Sequence, residues 1–212
     1  MAALDLQEQE QLEELKAWWK DNRNFILGAL LIAFVSIGGW RGWQYYHQNQ
    51  SIQAAVLYSE FVRQLQGNDA GRVNDAAAAV MDRFPSTAYA SRAALLAAQA
   101  NENVKDSTRA KAQLQWVIDH AGEADLRDVA RLRLASLFLD DAKYTDAMGM
   151  LNAEHSPAFD GLFADLRGDV LSAEGKTDEA RSAYKLAFEK TDPNSTYRNL
   201  IKMKLDALVT SK

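Results

Sequence analysis

The chain has 212 residues, carries 24 basic and 29 acidic side chains for a net charge of −5, and contains no cysteine. Without cysteine it cannot form disulfides, thiolate nucleophiles or cysteine-based metal sites. The acidic balance, with no clustered basic field, argues against a nucleic-acid-binding surface.

The first 24 residues form a polar segment that precedes a long apolar stretch. A helix is predicted over residues 4–20, because Leu12, Leu15 and Trp19 fall on one helical face and glutamate and glutamine occupy the others. We interpret residues 1–24 as a cytoplasmic juxtamembrane segment that extends the next helix into solvent. A helix that docks on a specific cytoplasmic partner is the alternative.

Residues 25–43 are predicted to form a single transmembrane helix. The run from Phe25 to Trp40 has no charged side chain, and tryptophan and tyrosine flank it on both sides, as is typical of membrane–water interfaces. A bilayer core needs about 20 predominantly apolar helical residues, and the stretch reaches that length if Arg41 extends its side chain to the headgroups. A buried core helix and a cleaved signal peptide are the alternatives, and no clean small-residue cleavage site supports the second.

The orientation of this helix follows from the basic residues near its ends. Lys16, Lys20 and Arg23 precede the helix, and only Arg41 follows it closely. The positive-inside bias therefore predicts a cytoplasmic N-terminus and a C-terminal part outside the cytoplasm.

Small residues in the same helix indicate faces that another membrane helix could approach closely. The signal is weak, because membrane helices are rich in glycine in any case. The candidate helix-packing residues are Ala29, Ala33 and Ser36 on one face, and Gly38 and Gly42 near the outer end.

After a linker over residues 44–50, residues 51–212 are predicted to form one helical domain. Amphipathic stretches of roughly 10–17 residues alternate with turn signals such as Phe84-Pro85-Ser86 and Glu174-Gly175. No strand-like alternation of any length occurs in the sequence.

The second helices of four predicted hairpins share a pattern of one small residue and two large residues at i, i+4 and i+8. The units are spaced by 34, 37 and 33 residues, close to the ~34-residue period of tetratricopeptide repeats. An unrelated array of α-hairpins is the alternative. The pattern consists of Ala76-Val80-Phe84, Ala110-Leu114-Ile118, Ala147-Leu151-His155 and Ala180-Tyr184-Phe188.

A last helix is predicted over residues 196–209, with Ile201, Leu205 and Leu208 on one face. A stacked array exposes the apolar face of its final unit, and this helix would cover it. The predicted fold class is therefore all-α: one N-terminal transmembrane helix, a tetratricopeptide-like array of helical hairpins, and a C-terminal capping helix.

Few residues suggest chemistry. His47, His120 and His155 lie far apart in the sequence, and no spacing typical of a metal site, a nucleophile or a phosphate-binding loop occurs. Asp165 and Asp169 share a helix face at i and i+4, which we interpret as a solvated face. We expect no enzymatic activity, catalytic residue, cofactor, metal or small-molecule substrate.

Three stretches carry a resemblance to a known family: Glu13-Glu-Leu-Lys-Ala-Trp-Trp-Lys20 before the membrane helix, Arg131-Leu-Arg-Leu-Ala135, and the run from Phe163 to Tyr184. In these, the chain resembles the YfgM-like family of proteobacterial inner-membrane proteins. The resemblance implies an ancillary subunit of the Sec translocon, with a tetratricopeptide-like domain in the periplasm. It also implies that this domain cooperates with periplasmic chaperones, such as a membrane-anchored peptidyl-prolyl isomerase-like protein.

Our first functional hypothesis is a non-enzymatic interaction module that holds a chaperone or an emerging polypeptide close to the Sec translocon. The alternative is an envelope-assembly or cell-division scaffold that acts through self-association of its repeats. First helices line the concave surface of such arrays, so their outward residues are the candidates for partner binding. These residues are Arg92, Leu95, Gln99, Leu132, Ser136, Leu162, Asp165 and Asp169.

Overall fold

The computed structural model describes residues 6–67 and 69–210, which form nine α-helices, one 3₁₀ turn and no strand. The predicted all-α fold class is confirmed. The chain divides into two compact units between Asn49 and Gln50. The helices are α1 (Leu6–Leu65), α2 (Ala70–Arg83), α3 (Ala88–Asn103), α4 (Ser107–His120), α5 (Ala124–Asp140), α6 (Tyr144–Leu151), α7 (Asp160–Ala173), α8 (Thr177–Lys190) and α9 (Tyr197–Thr210), and the 3₁₀ turn Pro157–Phe159 precedes α7.

The first unit consists of α1 as far as residue 49. Its apolar side chains lie at the surface, and Phe25 is 79% exposed. Within the described residues, α1 is the one helix long and apolar enough to cross a membrane. An apolar surface of this length is unfavourable in water, so its exposure fits a membrane-anchored protein. Residues 44–50, which the sequence assigns to a linker, are helical as well, because no proline or glycine interrupts them.

In the second unit, four hairpins stack in chain order. Each of four hydrophobic clusters draws on three successive helices, so every cluster joins one hairpin to the next element. The clusters centre on Phe61 for α1–α3, Leu114 for α3–α5, Leu151 for α5–α7 and Tyr184 for α7–α9. The domain therefore has the nearest-neighbour organisation of a repeat protein.

The turns inside the last three hairpins share one backbone conformation. Lys105, Ala142 and Gly175 have positive φ angles of 61°, 56° and 80°. In each turn the following N–H donates to the carbonyl five residues earlier: Asp106 to Asn101 (2.8 Å), Lys143 to Phe138 (2.8 Å) and Lys176 to Leu171 (2.9 Å). This is the left-handed helix ending that usually carries glycine. The positive-φ residues are separated by 37 and 33 residues, which are the predicted spacings of the last units.

The predicted columns of second-helix residues are buried in the last three hairpins. Ala110, Ala147 and Ala180 are fully buried, as are Leu114 and Leu151. The predicted positions of two members of the pattern were wrong. Ala76 is only partly buried, and its neighbour Ala77 takes the core position. His155 is not helical, because α6 ends at Leu151.

Helix α9 is the predicted cap. It begins at Tyr197, one residue after the predicted start. Ile201 is fully buried against α7 and α8, and Leu205 and Leu208 pack against the same cluster. The apolar face of the last hairpin is therefore covered, as the sequence predicts.

Candidate interaction surface

The predicted first-helix residues divide into exposed and packed side chains. Leu95 packs against the α3–α5 cluster and Leu132 against the α5–α7 cluster, so both are partly core residues. Ser136 is half-buried. The exposed members, which remain open to a partner, are Arg92, Gln99 and Leu162.

Ion pairs connect the first helices of neighbouring hairpins beside these residues. Arg133 of α5 pairs with Glu102 of α3 at 2.8 Å, and its second nitrogen donates to the carbonyl of Leu95 at 3.1 Å. At the other end, Arg92 lies 3.8 Å from Glu123, and both side chains are about half exposed. Exposed pairs of this kind contribute little to stability, so the Arg92 guanidinium can exchange its partner at little cost.

An apolar cavity of about 430 Å³ opens between α1, α2 and α3. Its walls include Leu65, Val73, Leu96 and the predicted residue Gln99. Val104, also in the wall, is 55% exposed. Its floor is the α1–α3 cluster.

The interpretation of Asp165 and Asp169 as a solvated face was wrong. Asp165 is only 2% exposed. The Lys204 ammonium group donates to both carboxylates at 2.7 Å. The Tyr197 hydroxyl donates to Asp165 at 2.5 Å, and the Tyr184 hydroxyl donates to Asp169 at 2.7 Å. We call these five residues the cap network, because their hydrogen bonds join α7 and α8 to the capping helix α9.

The cap network shifts the acid–base behaviour of its donors. Burial raises the pKa of Tyr184 and of Tyr197, and their hydrogen bonds to Asp169 and Asp165 raise the pKa of each phenol further. Burial acts to lower the pKa of Lys204, but the hydrogen bonds to the two carboxylates outweigh it, so the pKa is raised. All three groups therefore hold their protons more tightly in the folded state.

A second feature, the early end of helix α6, was not predicted from the sequence. This helix has 8 residues, whereas α4 and α8 have 14 each, a difference of about 9 Å of helix. Two open cavities of about 530 and 270 Å³ lie along α7 and α8, and His155, four residues after the end of α6, lines the smaller one. Arg167 lines both cavities, and Leu186 of α8 lines both from the other side.

Arg167 occupies a position that is apolar in the preceding hairpins. At the unit spacings of 33 and 37 residues it corresponds to Leu134, which is 1% exposed, and to Ala97, which is fully buried. Its Nη2 donates to the carbonyl of Leu151 at 2.8 Å and to the side chain of Asn152 at 3.3 Å. The guanidinium thus caps the shortened α6. The alignment of the first helices, 33 residues apart, sets this arginine at the place of Leu134 and marks it as an exception.

The histidines pack against aromatic rings. His155 stacks on Phe163 with ring centroids 3.8 Å apart, and His120 stacks on Trp116 at 4.5 Å. His47 contacts Trp43 at 4.4 Å. Across residues 6–67 and 69–210, no group of three or more histidine, aspartate or glutamate side chains could hold a metal ion.

The candidate packing residues of α1 are exposed. Nothing lies within 4 Å of a Cβ built on Gly38 or Gly42. The Ser36 hydroxyl donates to the carbonyl of Ile32 at 2.7 Å, within its own helix. Ala29 and Ala33 are exposed as well. These positions are therefore open to a neighbouring helix.

Comparisons with known proteins agree with this architecture. The family model of the tetratricopeptide repeat-like domain matches residues 16–210. The chain is similar to the "Ancillary SecYEG translocon subunit" of Neisseria gonorrhoeae, with 28% identity over 97% of this chain and 99% of that protein. The proteins of the same name from Haemophilus influenzae and Escherichia coli are 26% and 25% identical, over 97% and 95% of this chain and 100% and 96% of their own length.

No solved structure matches the chain at a significant level. The resemblance to YfgM-like proteins, carried in the sequence by three short stretches, is confirmed by relatives that align along nearly the whole chain. The match of the family model includes the whole of the predicted membrane span, residues 25–43, and all four hairpins. This chain belongs to the tetratricopeptide repeat-like domain family.

Proposed function

We propose that this protein is a non-enzymatic, membrane-anchored interaction module that is ancillary to the Sec translocon. The observation that carries the proposal is the end-to-end similarity to proteins named ancillary SecYEG translocon subunits, over 95–97% of this chain. A domain made of stacked hairpins also suits binding rather than catalysis, since repeat arrays present extended surfaces.

In this proposal the two units have separate roles. Residues 25–43 span the inner membrane with the N-terminus in the cytoplasm, residues 1–24 lie on the cytoplasmic side, and residues 51–212 lie in the periplasm. The basic residues before α1's apolar stretch support this orientation. The exposed faces at Ala29, Ala33 and Ser36, or at Gly38 and Gly42, would pack against a channel helix.

The periplasmic domain would hold a chaperone, or an emerging polypeptide, next to the channel exit. The mechanism is tethering, because a partner held near a site has a high effective concentration there. Arg92, Gln99 and Leu162 are the first-helix residues whose exposure supports a role in this contact. Asp165 and Asp169 are no longer candidates, since the cap network occupies them.

The test is purification of the tagged full chain from native membranes in mild detergent, followed by identification of the proteins that accompany it. Translocon subunits are expected, and they should become fewer when residues 25–43 are replaced by an unrelated apolar helix. A periplasmic chaperone should remain bound after that replacement and decrease in an Arg92→Glu variant. Recovery of envelope-assembly or division proteins without translocon subunits would overturn the proposal in favour of the scaffold alternative.

A further inference from the structure

We propose that the outer face of the capping helix α9 pairs with the same face of a second copy of this chain, as two antiparallel helices related by a two-fold axis. Six exposed residues make up this surface, which we call the α9 face: Asn199, Leu200, Lys202, Met203, Asp206 and Ala207. The inference goes beyond the proposed function, because it gives the chain a partner that is neither a translocon subunit nor a chaperone.

The α9 face has an apolar stripe that a terminal cap does not need. The cap of a repeat array usually presents a polar outer side to water. Met203 is nevertheless 68% exposed and Leu200 44% exposed, while Ile201 on the opposite side of α9 is fully buried in the α7–α9 cluster. Leu200, Met203 and Ala207 follow the spacing i, i+3 and i+7, which is the spacing of the seam between two packed helices. The stripe is therefore suited to contact with another helix.

The two charged residues of the α9 face make it complementary to itself. Lys202 and Asp206 are exposed, and neither forms an ion pair within residues 6–67 and 69–210. A lysine four residues before an acidic residue is also the less favourable order for a pair within one helix. At 3.6 residues per turn both side chains lie on one flank of Met203, and Leu200 and Ala207 lie on the other flank. One flank is therefore charged and the other apolar.

This division into flanks selects the antiparallel arrangement. A two-fold axis perpendicular to the helices brings the same flank of both copies together, whereas an axis parallel to them brings opposite flanks together. In an antiparallel pair centred on Met203, Leu200 of one copy lies within about 1.5 Å, along the helix axis, of the level of Ala207 of the other. Lys202 lies within about 3 Å of the level of Asp206 of the other copy. A parallel pair would instead set the charged flank against the apolar flank.

The size of the α9 face determines the strength of the pair. A single helix of 14 residues covers less than the ~800 Å² per partner of a standard interface, so the pair should dissociate in dilute detergent solution. Two copies anchored in one membrane by their predicted transmembrane helices have a much higher effective concentration, which favours pairing. Each copy uses its α9 face once, so the contact is closed and yields a dimer rather than a longer assembly.

The experiment is disulfide crosslinking of the full chain in phosphatidylcholine vesicles. The chain has no cysteine of its own, so each introduced thiol reports one position. Met203→Cys should form a dimer under mild oxidation, because the two thiols meet at the two-fold axis. Ser182→Cys, at an exposed position of α8, is the control and should give about tenfold less dimer, because chance encounters lack the raised effective concentration. Leu200→Cys and Ala207→Cys should each crosslink poorly alone and well when the two variants are mixed.

Charge exchange tests the complementarity of the charged flank. In the Met203→Cys background, Lys202→Asp and Asp206→Lys should each lower the dimer fraction about threefold or more, because two attractive pairs become repulsive. Combining the two substitutions restores opposite charges without changing the net charge, and it should restore the dimer. Circular dichroism should show every variant folded, because these side chains lie outside the hydrophobic clusters.

Four results would overturn the inference. Met203→Cys that gives no more dimer than Ser182→Cys would exclude pairing at the α9 face. Leu200→Cys that crosslinks as well alone as in the mixture would exclude the antiparallel arrangement. A combined charge variant that stays as low as the single ones would exclude the ion pairs. In native membranes, thiol–amine crosslinks from Met203→Cys to another protein, with no dimer, would assign the α9 face to a different partner.

Discussion

Replacing Gly168 by alanine should destabilise the last hairpin, although alanine favours helices. Gly168 lies inside α7, where it faces the ring of Tyr184 on α8. A Cβ at this position would lie 2.5 Å from both Cδ1 and Cε1 of that ring. The ring has little room to move, because Tyr184 is 3% exposed and its hydroxyl donates to Asp169 at 2.7 Å.

The magnitude follows from three opposing contributions. Overpacking a well-filled core costs about 1–3 kcal/mol, and loss of the tyrosine hydrogen bond would add about 1 kcal/mol. Alanine in place of glycine stabilises the helix by roughly 0.5–1 kcal/mol, because it has the higher helix propensity. The net effect of Gly168→Ala is therefore a loss of about 1–3 kcal/mol in the free energy of unfolding.

Gly149→Ala is the matched control. Gly149 lies inside α6 at an exposed position, and a Cβ there would meet nothing within 4 Å. It should therefore gain about 0.5–1 kcal/mol from propensity alone. For a domain of this size 1 kcal/mol corresponds to ~2–4 °C in melting temperature, so the melting temperatures of the two variants should differ by about 5–10 °C in circular dichroism at 222 nm. If both variants melt at or above the wild-type temperature, the close approach of α7 and α8 is refuted.

Four further outcomes are expected. Ala142→Gly should raise the free energy of unfolding by about 1 kcal/mol and Gly175→Ala should lower it by a similar amount, because both residues have left-handed backbones; urea unfolding that shifts both variants the same way would contradict the turn geometry. Lys204→Ala should lower the free energy of unfolding by about 2 kcal/mol or more, because it leaves two aspartates of the cap network without their cation. The control Lys202→Ala, on the exposed side of α9, should stay within about 0.5 kcal/mol of wild type in the same assay. The lysine and the two tyrosines of the cap network have raised pKa values in the folded state. The stability that they contribute is therefore present below their ordinary pKa values near 10 and should be lost progressively as the pH rises above those values. Urea midpoints that stay level from pH 9 to pH 11 would count against the network. A reporter that is active only outside the cytoplasm, fused after Lys212, should be active, and a cytoplasmic signal would reverse the topology.

Local patterns were sufficient to predict the helices, most of the hairpin register and the cap. The period of 3.6 residues marks each amphipathic helix, and the repeat spacing marks which helices are equivalent. Ala147 and Ala180 were placed in the core correctly for this reason. The degenerate first unit misled the alignment by one residue, because a run of four alanines from Ala76 offers several equivalent small positions.

The environment of the two aspartates could not be read from the sequence, because their partner is distant. Asp165 lies 39 residues before Lys204, and only the return of α9 over α7 brings them together. Two carboxylates at i and i+4 with no nearby cation have the pattern of a solvated face. A lysine on the inner side of a predicted cap was the available clue.

The early end of α6 escaped prediction for a different reason. His155 departs from the apolar column, but no glycine or proline stands between Leu151 and Pro157, so the early end of α6 is hidden in the sequence. Arg167 reveals it only after the first helices are aligned, when a charged residue appears in the column of Leu134. The exception is informative because a charge is tolerated there only if the facing helix stops short.

The sharing of each hydrophobic cluster between neighbouring hairpins has a mechanical consequence. A pulling force applied at the C-terminus acts first on α9, and its removal opens the α7–α9 cluster while the α1–α3 cluster around Phe61 stays closed. The domain should therefore unfold one hairpin at a time from its C-terminal end, instead of unfolding as a whole. In single-molecule stretching, the extension of the chain should then increase in several small steps rather than in one long step.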